Sequence, residues 1–337
     1  MNNLVKALAN KTILLTGGTG SFGRAFCSHL LSNNFKGVIR IYSRDEFKQH
    51  EMSKTFNEDV RLRFLIGDVK DVQRLHRAMD GVAIVVHAAA LKHVPILEYN
   101  PFEAVKTNIL GSQNVIDSAI DLKVSKVILI SSDKAVSPVN LYGATKMVAE
   151  KIFVQANSYT GGIKTIFSVA RYGNVAGSRG SVVSVFQNQV EDNHLTITDE
   201  RMTRFWITLE EGVKFVLMCI DRMKGGEIFV PKTPSIKIID LAHAIAPDAK
   251  IKIIGIRPGE KIHETLISED EARHTRDFGK YFVVEPEFAW WKSPTKHKVK
   301  RLASEFLYSS NNNKWWLTVG DINKLLKLSE SMAATEA

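Results

Sequence analysis

Short runs of β-branched and aliphatic residues alternate with longer amphipathic stretches over the first half of the chain. Several runs are apolar on both faces, which is typical of strands in a covered parallel sheet. The predicted strands are residues 12–16, 38–43, 61–66, 83–87, 126–131 and 165–170. The predicted helices between them are residues 22–32, 47–56, 72–79, 101–122 and 141–159. This alternation predicts an α/β fold with a doubly wound parallel sheet and right-handed crossovers.

The alternation loosens after about Gly173, where polar and Gly- or Pro-containing segments separate shorter elements. Residues 208–222 and 238–246 have helical patterns, and residues 250–256 have the pattern of a strand. We therefore expect a smaller C-terminal α/β substrate lobe over the edge of the sheet. The predicted division is 1–172 for the nucleotide-binding domain, 173–328 mainly for the substrate lobe with segments returning to the sheet, and 329–337 for a fraying polar tail.

Composition narrows the class of protein. The 337 residues are 45% hydrophobic, enough for a large core. The net charge is +9, but the one dense cationic run, residues 292–301, fits a solvated surface better than a nucleic-acid site. Cys27 and Cys219 lie in apolar helical patterns and suit buried thiols in a reducing compartment. Without a signal-like segment or an apolar window long enough to span a bilayer, we expect a soluble cytoplasmic protein with no nucleic-acid or membrane partner.

A glycine-rich turn links the first predicted strand to the first predicted helix. It reads TGGTGSFGR, with Gly17, Gly20 and Gly23 at three-residue intervals. Glycines let the backbone turn sharply and approach a pyrophosphate, and the free N–H groups of a helix N-terminus favour anions. In this context the motif predicts a Rossmann-type dinucleotide site rather than an ordinary turn. The residues assigned to it are Thr16, Gly17, Gly20, Ser21, Phe22 and Gly23.

The end of the second strand indicates which dinucleotide binds. An acid that reads the ribose diol of NAD usually stands there, but this chain has Ser43 and Arg44, with Lys48 a turn later. A hydroxyl and a guanidinium suit a 2′-phosphate, so NADP is the predicted cofactor. The alternative is a surface Arg44 paired with Asp45 or Glu46. The other residues placed against the cofactor are Asp68, which can meet the adenine amine, Val69, Ala88, Ala89 and Ala90.

The segment SSDKAVSPVNLYGATK carries the candidate chemistry. Tyr142 and Lys146 are four residues apart, so both face one ligand from a helix, and a lysine beside a tyrosine lowers its pKa. Such a phenol can take a proton from a sugar hydroxyl as a hydride leaves, while Ser132 holds the substrate oxygen. Asp133 and Lys134 add an acid and a base, which suggests the removal of water. Alone, they would be better explained as a turn former and a solvated lysine.

The chain resembles the extended short-chain dehydrogenase/reductase family from about residue 10 to residue 290. The motifs that carry the resemblance are TGGTGSFG, HAAALKHVP, SSDKAVSPVNLYGATK, SVARYGNV, MTRFWIT and RPGEKIHE. Within the family, the chain is similar to members that dehydrate UDP-N-acetylglucosamine and begin pseudaminic acid synthesis. The resemblance implies conversion to UDP-2-acetamido-2,6-dideoxy-β-L-arabino-hex-4-ulose, with NADP recycled and C5 inverted. It also implies a homo-oligomer, associated through the helices around Tyr142 and residues 101–122.

The resemblance also implies roles for individual residues. Tyr142 removes the proton of the C4 hydroxyl, Lys134 takes the C5 proton, and Asp133 protonates the departing C6 hydroxyl. A lysine base needs a lowered pKa, and the neighbouring Asp133 works against that. The sequence does not show what compensates.

Six residues are candidates for binding the nucleotide sugar. The side chains that can bind its phosphates, ribose, acetamide or sugar are Arg204, Arg257, Glu260, Asn174, Lys92 and His93. A neutral structural imidazole explains His93 equally well, and Arg204 could instead be a surface or core-lid arginine. No His/Cys cluster has the spacing of a metal site, so no metal is expected.

Two alternatives remain open. One is a bifunctional UDP-N-acetylglucosamine C5-epimerase/4,6-dehydratase of capsule synthesis on the same scaffold. The other is a non-catalytic NADP-binding sensor, against which the complete set of Ser132, Tyr142 and Lys146 argues.

Overall fold

The computed structural model describes residues 2–177, 182–192, 194–288, 291 and 299–335. The strands are β1 Thr12–Thr16, β2 Val38–Ser43, β3 Leu62–Ile66, β4 Ile84–His87, β5 Lys126–Ser132, β6 Ile166–Tyr172, β7 Asn174–Val175, β8 His194–Ile197, β9 Thr203–Ile207, β10 Ile228–Pro231, β11 Ser235–Lys237, β12 Lys250–Ile253, β13 Thr265–Ile267, β14 Thr275–Asp277, β15 Tyr281–Val284 and β16 Tyr308–Ser309.

The α-helices are α1 Asn2–Ala7, α2 Ser21–Ser32, α3 Glu46–Thr55, α4 Val72–Met79, α5 Val94–Tyr99, α6 Pro101–Ala104, α7 Gly111–Asp121, α8 Leu141–Ala156, α9 Val182–Gln189, α10 Leu209–Arg222, α11 Ile238–Ile245, α12 Glu269–Ala272 and α13 Val319–Thr335. A π-helical segment, Val105–Leu110, joins α6 to α7, and 3-10 turns form at Asp133–Ala135 and Val190–Asp192.

The main sheet confirms the predicted fold class. Its order is β14-β15-β10-β6-β5-β4-β1-β2-β3. Seven neighbouring strands of this sheet pair in parallel, namely β10, β6, β5, β4, β1, β2 and β3. Strands β15 and β14 add an antiparallel edge beside β10. The strand order reverses between β1 and β4, so a crevice opens at their carboxyl ends. The glycine-rich turn after β1 lies at this point.

Apolar layers cover both faces of the sheet. Ile13 and Leu15 are fully buried in one apolar cluster, and Leu14 is fully buried in the other. Successive side chains of a strand point to opposite faces, so the continuous apolar run of β1 serves both layers. Cys27 and Cys219 are buried free thiols in the first of these clusters, in agreement with the expectation.

The helix predicted for residues 101–122 is interrupted. It divides into α6, the π-helical segment and α7. The amide of Asn108, within that segment, donates to the Leu91 carbonyl and to Thr145 Oγ1, and its oxygen accepts from the Leu91 amide. These contacts to residues distant in sequence accompany the interruption, and apolar periodicity alone could not reveal it.

The second half of the chain forms a smaller lobe and also adds strands to the main sheet. Strands β11, β9 and β7 form one small sheet, and β12 pairs with β8. A third apolar cluster includes Phe186, Trp206, Leu241 and Ile322. In contrast, β10, β14 and β15 extend the nine-stranded sheet, although sequence periodicity did not single them out. None of the helices in the described ranges is long and apolar enough to cross a membrane.

The last helix, α13, extends through most of the predicted polar tail and ends at Thr335. Its buried Ile322 and Leu326 pack into the third cluster and anchor the helix. Most of the predicted cationic surface run, at residues 292–298, lies outside the described residues.

Candidate active site

The glycine-rich turn has the backbone geometry that a dinucleotide cradle requires. Gly17 has a positive φ of 68°, and a Cβ atom there would lie 2.8 Å from the Ala89 backbone. A Cβ atom on Gly23 would lie 2.1 Å from the Gly18 carbonyl oxygen, so both positions require glycine. Helix α2 follows Gly20 without a side-chain cap, which leaves its first N–H groups oriented for an anion.

Buried hydrogen bonds join this turn to the end of β4. Thr16 Oγ1 lies 2.7 Å from His87 Nδ1 and accepts a 3.3 Å hydrogen bond from the Ala89 amide. His87 Nε2 lies 3.1 Å from Ser112 Oγ. The predicted residues Thr16 and Ala89 therefore belong to one hydrogen-bonded unit.

The end of β2 presents Arg44 to solvent. Its side chain is 55% exposed and lies 3.7 Å from Asp68, rather than pairing with Asp45 or Glu46. Lys48 forms a 2.7 Å ion pair with Asp45, which also caps α3. Ser43 Oγ accepts a hydrogen bond from Gln49. Arg44 is therefore more available to a ligand than Lys48, because Lys48 is paired with the residue that caps its own helix.

The remaining cofactor candidates lie along the neighbouring strand ends. Asp68 Oδ1 accepts a 3.0 Å hydrogen bond from the Lys70 amide, and Val69 is buried against Gly111. These contacts fix the turn after β3. The small residues Ala88, Ala89 and Ala90 follow β4 directly, beside the glycine-rich turn.

The candidate catalytic residues come from the end of β5 and the start of α8. Asn140 caps α8 by accepting a 2.7 Å hydrogen bond from the Gly143 amide. Ser132 donates a 2.8 Å hydrogen bond to Asp133 Oδ1 and is also a hydrogen-bonding partner of Tyr142. Lys146 donates to the Ile130 carbonyl at 2.7 Å. The fold thus gathers the predicted serine, tyrosine and lysine.

The electrostatics of Tyr142 and Lys146 differ from the expectation. Burial raises the pKa of Tyr142, while Lys134 and the hydrogen bond with Ser132 lower it only in part. Burial lowers the pKa of Lys146 to about 8, with Glu150 opposing that change. The pKa of Tyr142 therefore lies above its ordinary value and not below it as expected, because desolvation outweighs the nearby cation.

Lys134 lies between two buried carboxylates. Its Nζ is 3.1 Å from Asp133 Oδ1 and 3.3 Å from Glu264 Oε1. Burial disfavours the ammonium, but the charges of Asp133 and Glu264 outweigh it and raise the pKa of Lys134. A lysine base needs the opposite shift, so these surroundings favour the ammonium form of Lys134.

A cleft of about 290 Å³ adjoins this cluster. Its lining joins Lys134 to four of the six predicted substrate residues, namely Asn174, Arg204, Arg257 and Glu260. Lys92 and His93 are not among the described residues that line it, although the next two residues, Val94 and Pro95, are. Apolar side chains form part of the wall, including Val182, Val185, Phe186, Ile197 and Ile238.

The two predicted phosphate-binding arginines have different surroundings. Arg204 Nη1 donates to the carbonyls of Thr203 and Ile262, and Nη2 donates to that of Lys261. Arg257 is 57% exposed, with its guanidinium 4.0 Å from Glu260. The guanidinium of Arg204 is therefore occupied by backbone carbonyls and stabilises the wall of the cleft. Arg257 is more exposed and more available to bind a phosphate. The buried Oδ1 of Asn174 has no hydrogen-bond partner among the described residues, so it can accept one from a ligand.

Several residues of the cleft were not among the sequence-based candidates, and three of them make polar contacts across it. Asn140 donates to the Gly259 carbonyl at 2.8 Å and so links α8 to the cleft loop. Lys261 donates to the Val136 carbonyl, and Glu264 contacts Lys134. Both follow Glu260 in the motif RPGEKIHE, which was the available signal. Among the described residues, no group of three or more His, Cys, Asp or Glu side chains could hold a metal ion.

A family model described as "Polysaccharide biosynthesis protein" matches residues 13–286. A Campylobacter jejuni protein named UDP-N-acetylglucosamine 4,6-dehydratase (inverting) is 51% identical over 329 residues, 95% of this chain and 98% of that protein. A Rickettsia bellii protein named UDP-glucose 4-epimerase is 42% identical over 88% of this chain and 94% of its own length.

The solved structure of Pen from Bacillus thuringiensis is similar over almost the whole fold. It superposes with a TM-score of 0.87 and 37% identity, covering 96% of this chain and 99% of that one. The similarity therefore includes the lobe that forms the cleft as well as the nine-stranded sheet.

Proposed function

The chain belongs to the family of polysaccharide biosynthesis proteins, and we propose that within it the protein is a C5-inverting UDP-N-acetylglucosamine 4,6-dehydratase. The proposed product is UDP-2-acetamido-2,6-dideoxy-β-L-arabino-hex-4-ulose, and the proposed role of the enzyme is the first step of pseudaminic acid synthesis. The proposal is supported by 51% identity to the Campylobacter jejuni dehydratase over 95% of the chain.

One structural observation carries the proposal. A second set of acid and base groups, Asp133, Lys134 and Glu264, lies beside Ser132 and Tyr142 at the cleft. Oxidation at C4, or epimerisation there, needs a phenol and a serine but no buried lysine flanked by carboxylates. Loss of water from C5 and C6 requires a proton acceptor and a proton donor, and this cluster supplies both.

The cradle after β1 fits a dinucleotide, and we propose NADP as the cofactor. Gly17 permits close backbone approach, the start of α2 can hold the pyrophosphate, and Arg44 is available for a 2′-phosphate. When bound, a nicotinamide ring would accept the hydride of C4 and later donate it to C6. The reaction then has no net redox change, and the cofactor can stay bound.

The protein side of the oxidation follows from burial. Tyr142 has a raised pKa, so its phenolate is a strong base once formed, and Ser132 can hold the substrate oxygen by hydrogen bonding. Lys146, whose pKa is about 8, supplies positive charge from the same face of α8. Together these groups can remove the proton of the C4 hydroxyl as the ketone forms.

The elimination follows from the ketone. A carbonyl at C4 acidifies the proton at C5, and loss of that proton allows the C6 oxygen to leave as water. The groups available for these transfers are Asp133, Lys134 and Glu264. Inversion at C5 requires that the returning proton arrive on the face opposite to the one from which the first was removed.

Binding of UDP uses other residues of the cleft. Arg257 can contact the diphosphate, Glu260 can accept hydrogen bonds from the ribose hydroxyls, and Asn174 can bond the diphosphate or the acetamide. Lys92 and His93 do not line the cleft themselves but precede Val94, which does, and we propose that they border the sugar from that side. We also propose a homo-oligomer, because Ile96, Tyr99, Phe102 and Leu110 expose large apolar surfaces on the helices expected to associate. Light scattering would measure the assembly.

Incubation with UDP-N-acetylglucosamine, followed by NMR of the product, tests the function. We expect a 4-keto-6-deoxy sugar with inverted C5 and no added oxidant. A UDP-hexose epimerised only at C4 would support the activity named for the Rickettsia relatives. A mixture of C5 epimers would support the bifunctional alternative, and absence of turnover with bound dinucleotide would support the sensor.

A further inference from the structure

The RPGEK loop, residues 257–261, lies against the segment of residues 136–140. That segment joins the 3-10 turn that contains Lys134 to the start of α8, which carries Tyr142. The loop carries the side chains proposed to bind the nucleotide. Two hydrogen bonds link the loop to the two ends of the segment, and they join residues 119 and 125 positions apart in sequence. The fold therefore brings the nucleotide-binding residues and the catalytic residues together.

Asn140 makes the first of these hydrogen bonds and uses both ends of its amide. Its Oδ1 accepts from the Gly143 amide at 2.7 Å and caps α8, while its Nδ2 donates to the Gly259 carbonyl at 2.8 Å. A serine or an aspartate caps a helix about as well as an asparagine. An aspartate cannot donate, however, and a serine hydroxyl is on a shorter side chain. Capping alone therefore does not account for an amide at this position, whereas the contact with Gly259 does.

Gly259 allows the loop to approach Asn140 closely. Its φ is 79°, in the left-handed region that favours glycine, and a Cβ atom there would lie 3.0 Å from Asn140 Cβ. The turn around it is closed by a 3.1 Å hydrogen bond from the Glu260 amide to the Arg257 carbonyl. The contact with Asn140 is therefore made at the tip of the turn, between the two side chains proposed to bind the nucleotide.

Lys261 makes the second hydrogen bond, at the other end of the segment. Its Nζ donates to the Val136 carbonyl at 2.6 Å. The Val136 amide donates to the Asp133 carbonyl at 3.2 Å, so Val136 directly continues the 3-10 turn that holds Lys134. The RPGEK loop therefore contacts the segment near Lys134 as well as near Tyr142.

Apolar packing gives the start of the loop little support. The loop follows three half-exposed isoleucines, namely Ile253, Ile254 and Ile256. Arg257, its first residue, is 57% exposed. A segment with few buried apolar contacts opens readily, so its order depends on the polar contacts that it makes. The hydrogen bond between Asn140 and Gly259 is such a contact.

We propose that Asn140 is a positioning residue that couples the nucleotide-binding loop to the start of α8. This coupling rests on the proposed function, since UDP is part of the proposed substrate. A nucleotide held by Arg257 and Glu260 fixes the RPGEK loop. The loop, through Gly259, then fixes Asn140 and the first turn of α8, which contains Tyr142. Contacts with the nucleotide, remote from the reacting carbons, thereby contribute to the rate of C4 oxidation as well as to binding.

Asn140→Ser removes the contact and keeps the cap, so the free energy of unfolding should stay close to that of the wild type. At saturating UDP-N-acetylglucosamine, the rate of C4 oxidation in single turnovers should fall by about 10- to 100-fold, because Tyr142 is less well placed. The substrate concentration that gives half of that rate should change little, because Arg257 and Glu260 remain. A wild-type oxidation rate in Asn140→Ser would overturn the proposal, and so would a loss seen only as weaker binding.

Gly259→Ala breaks the same contact from the side of the loop and leaves the sequence of α8 unchanged. Gly255→Ala is its matched control, because Gly255 has a similar φ of 84° but a Cβ atom there would meet nothing within 4 Å. Both variants carry similar backbone strain, whereas only Gly259→Ala crowds Asn140. Gly259→Ala should therefore slow C4 oxidation, and Gly255→Ala should retain the wild-type rate. Equal oxidation rates in the two variants would contradict the coupling.

Hydrogen exchange with UDP as the probe measures the coupling without turnover. In the wild type, UDP should slow exchange of backbone amides in the RPGEK loop and at residues 141–144, the first turn of α8. In Asn140→Ser, UDP should still slow exchange in the loop but no longer at residues 141–144. Equal protection of residues 141–144 in the two proteins would sink the proposal. Absence of protection in the wild-type loop would instead reject the proposed UDP site on which the coupling rests, which distinguishes the two failures.

Discussion

At the residue scale, the buried surroundings of Tyr142 disfavour its phenolate form. A phenolate that does form there is therefore strongly basic. Burial raises its pKa, and the charge of Lys134 and the hydrogen bond with Ser132 offset only part of that effect. The phenol is thus suited to accept a proton during oxidation and to return one afterwards.

Replacing the phenol should stop oxidation without preventing binding. We expect Tyr142→Phe to lower the rate of C4 oxidation by about 100- to 10,000-fold, because the base is lost while the ring remains. Stopped-flow absorbance of the reduced nicotinamide measures this rate. Tyr159→Phe, at a half-exposed tyrosine of the surface, is the control and should behave as the wild type. A Tyr142→Phe enzyme with more than about a tenth of the wild-type rate would remove Tyr142 from the role of base.

Arg44 should determine the preference between the two dinucleotides. A charge-assisted contact with a 2′-phosphate contributes about 1.5–3 kcal/mol, so Arg44→Ala should weaken NADP binding by roughly 10- to 150-fold and leave NAD binding nearly unchanged. Calorimetric titration of each dinucleotide gives the ratio. Arg273→Ala is the matched control, since Arg273 is also exposed and lies 3.8 Å from Asp270. An unchanged ratio in Arg44→Ala would make Arg44 a surface arginine.

The residue scale also shows where sequence reasoning succeeded and where it could not. Ser132, Tyr142 and Lys146 are close in sequence, and helical spacing predicts their common site. The charge state of Lys134 depends on Glu264, which is 130 positions further along, and no local pattern reveals that contact. Arg204 has the residue type of a phosphate ligand, but three backbone carbonyls occupy its guanidinium. Contacts of this kind are set by tertiary structure.

At the scale of elements, His87 joins the glycine-rich turn to the interior helix. Its ring lies between Thr16 at the end of β1 and Ser112 in α7, and it is 1% exposed. Ser112 donates to the Asn108 carbonyl, so the imidazole most simply donates from Nε2 and accepts at Nδ1. A neutral histidine is therefore part of what holds the cofactor cradle against the sheet.

The burial of His87 should make the fold sensitive to acid. Burial, with Lys146 adding to it, lowers the His87 pKa to about 3 from 6.5. The unfolded state then binds more protons between these values, so stability falls as the pH drops below 6.5. From pH 7 to pH 5 this group alone should cost about 2 kcal/mol.

A variant isolates that contribution. His87→Gln should be less stable than the wild type at pH 7 by about 1–3 kcal/mol, because the hydrogen bonds are disturbed. Its further loss between pH 7 and pH 5 should be smaller than that of the wild type by about 2 kcal/mol. Urea unfolding at both pH values measures the difference, and His50→Gln at an exposed position is the control. Equal pH dependence in His87→Gln and the wild type would contradict the assignment.

Elements with strong periodicity were predicted well, and those defined by pairing were not. The first six predicted strands and most helices lie within two or three residues of the observed ends, because apolar runs and helical spacing mark them. Strand β10 has four buried residues but no flanking alternation to distinguish it. Strand β16 has two residues and exists only through its pairing with β13. Neither could be recognised without knowledge of its partner.

At the scale of the whole molecule, distant parts of the chain meet at the cleft. Lys134 comes from the first half of the chain, Arg204 and Glu264 come from the second half, and Ser310 near the C-terminus supports them. Ser310 Oγ lies 2.7 Å from Thr203 Oγ1, donates to the Thr203 carbonyl and accepts from the Glu264 amide. The last part of the chain therefore helps to determine the geometry of the cleft, even though the family match ends at residue 286.

Removing that support should impair both stability and elimination. Ser310 is fully buried, so Ser310→Ala leaves the Glu264 amide without its acceptor and should lower the free energy of unfolding by about 1–3 kcal/mol. Glu264 should then be less well oriented, so 6-deoxy product should form more slowly while C4 oxidation, which depends on Tyr142, is retained. Urea unfolding and single-turnover assays on the same sample measure the two effects. Ser304→Ala, at an exposed serine that donates a hydrogen bond to its neighbour Glu305, is the control. If Ser310→Ala slowed oxidation and elimination equally, the chain end would support the fold as a whole rather than the position of Glu264.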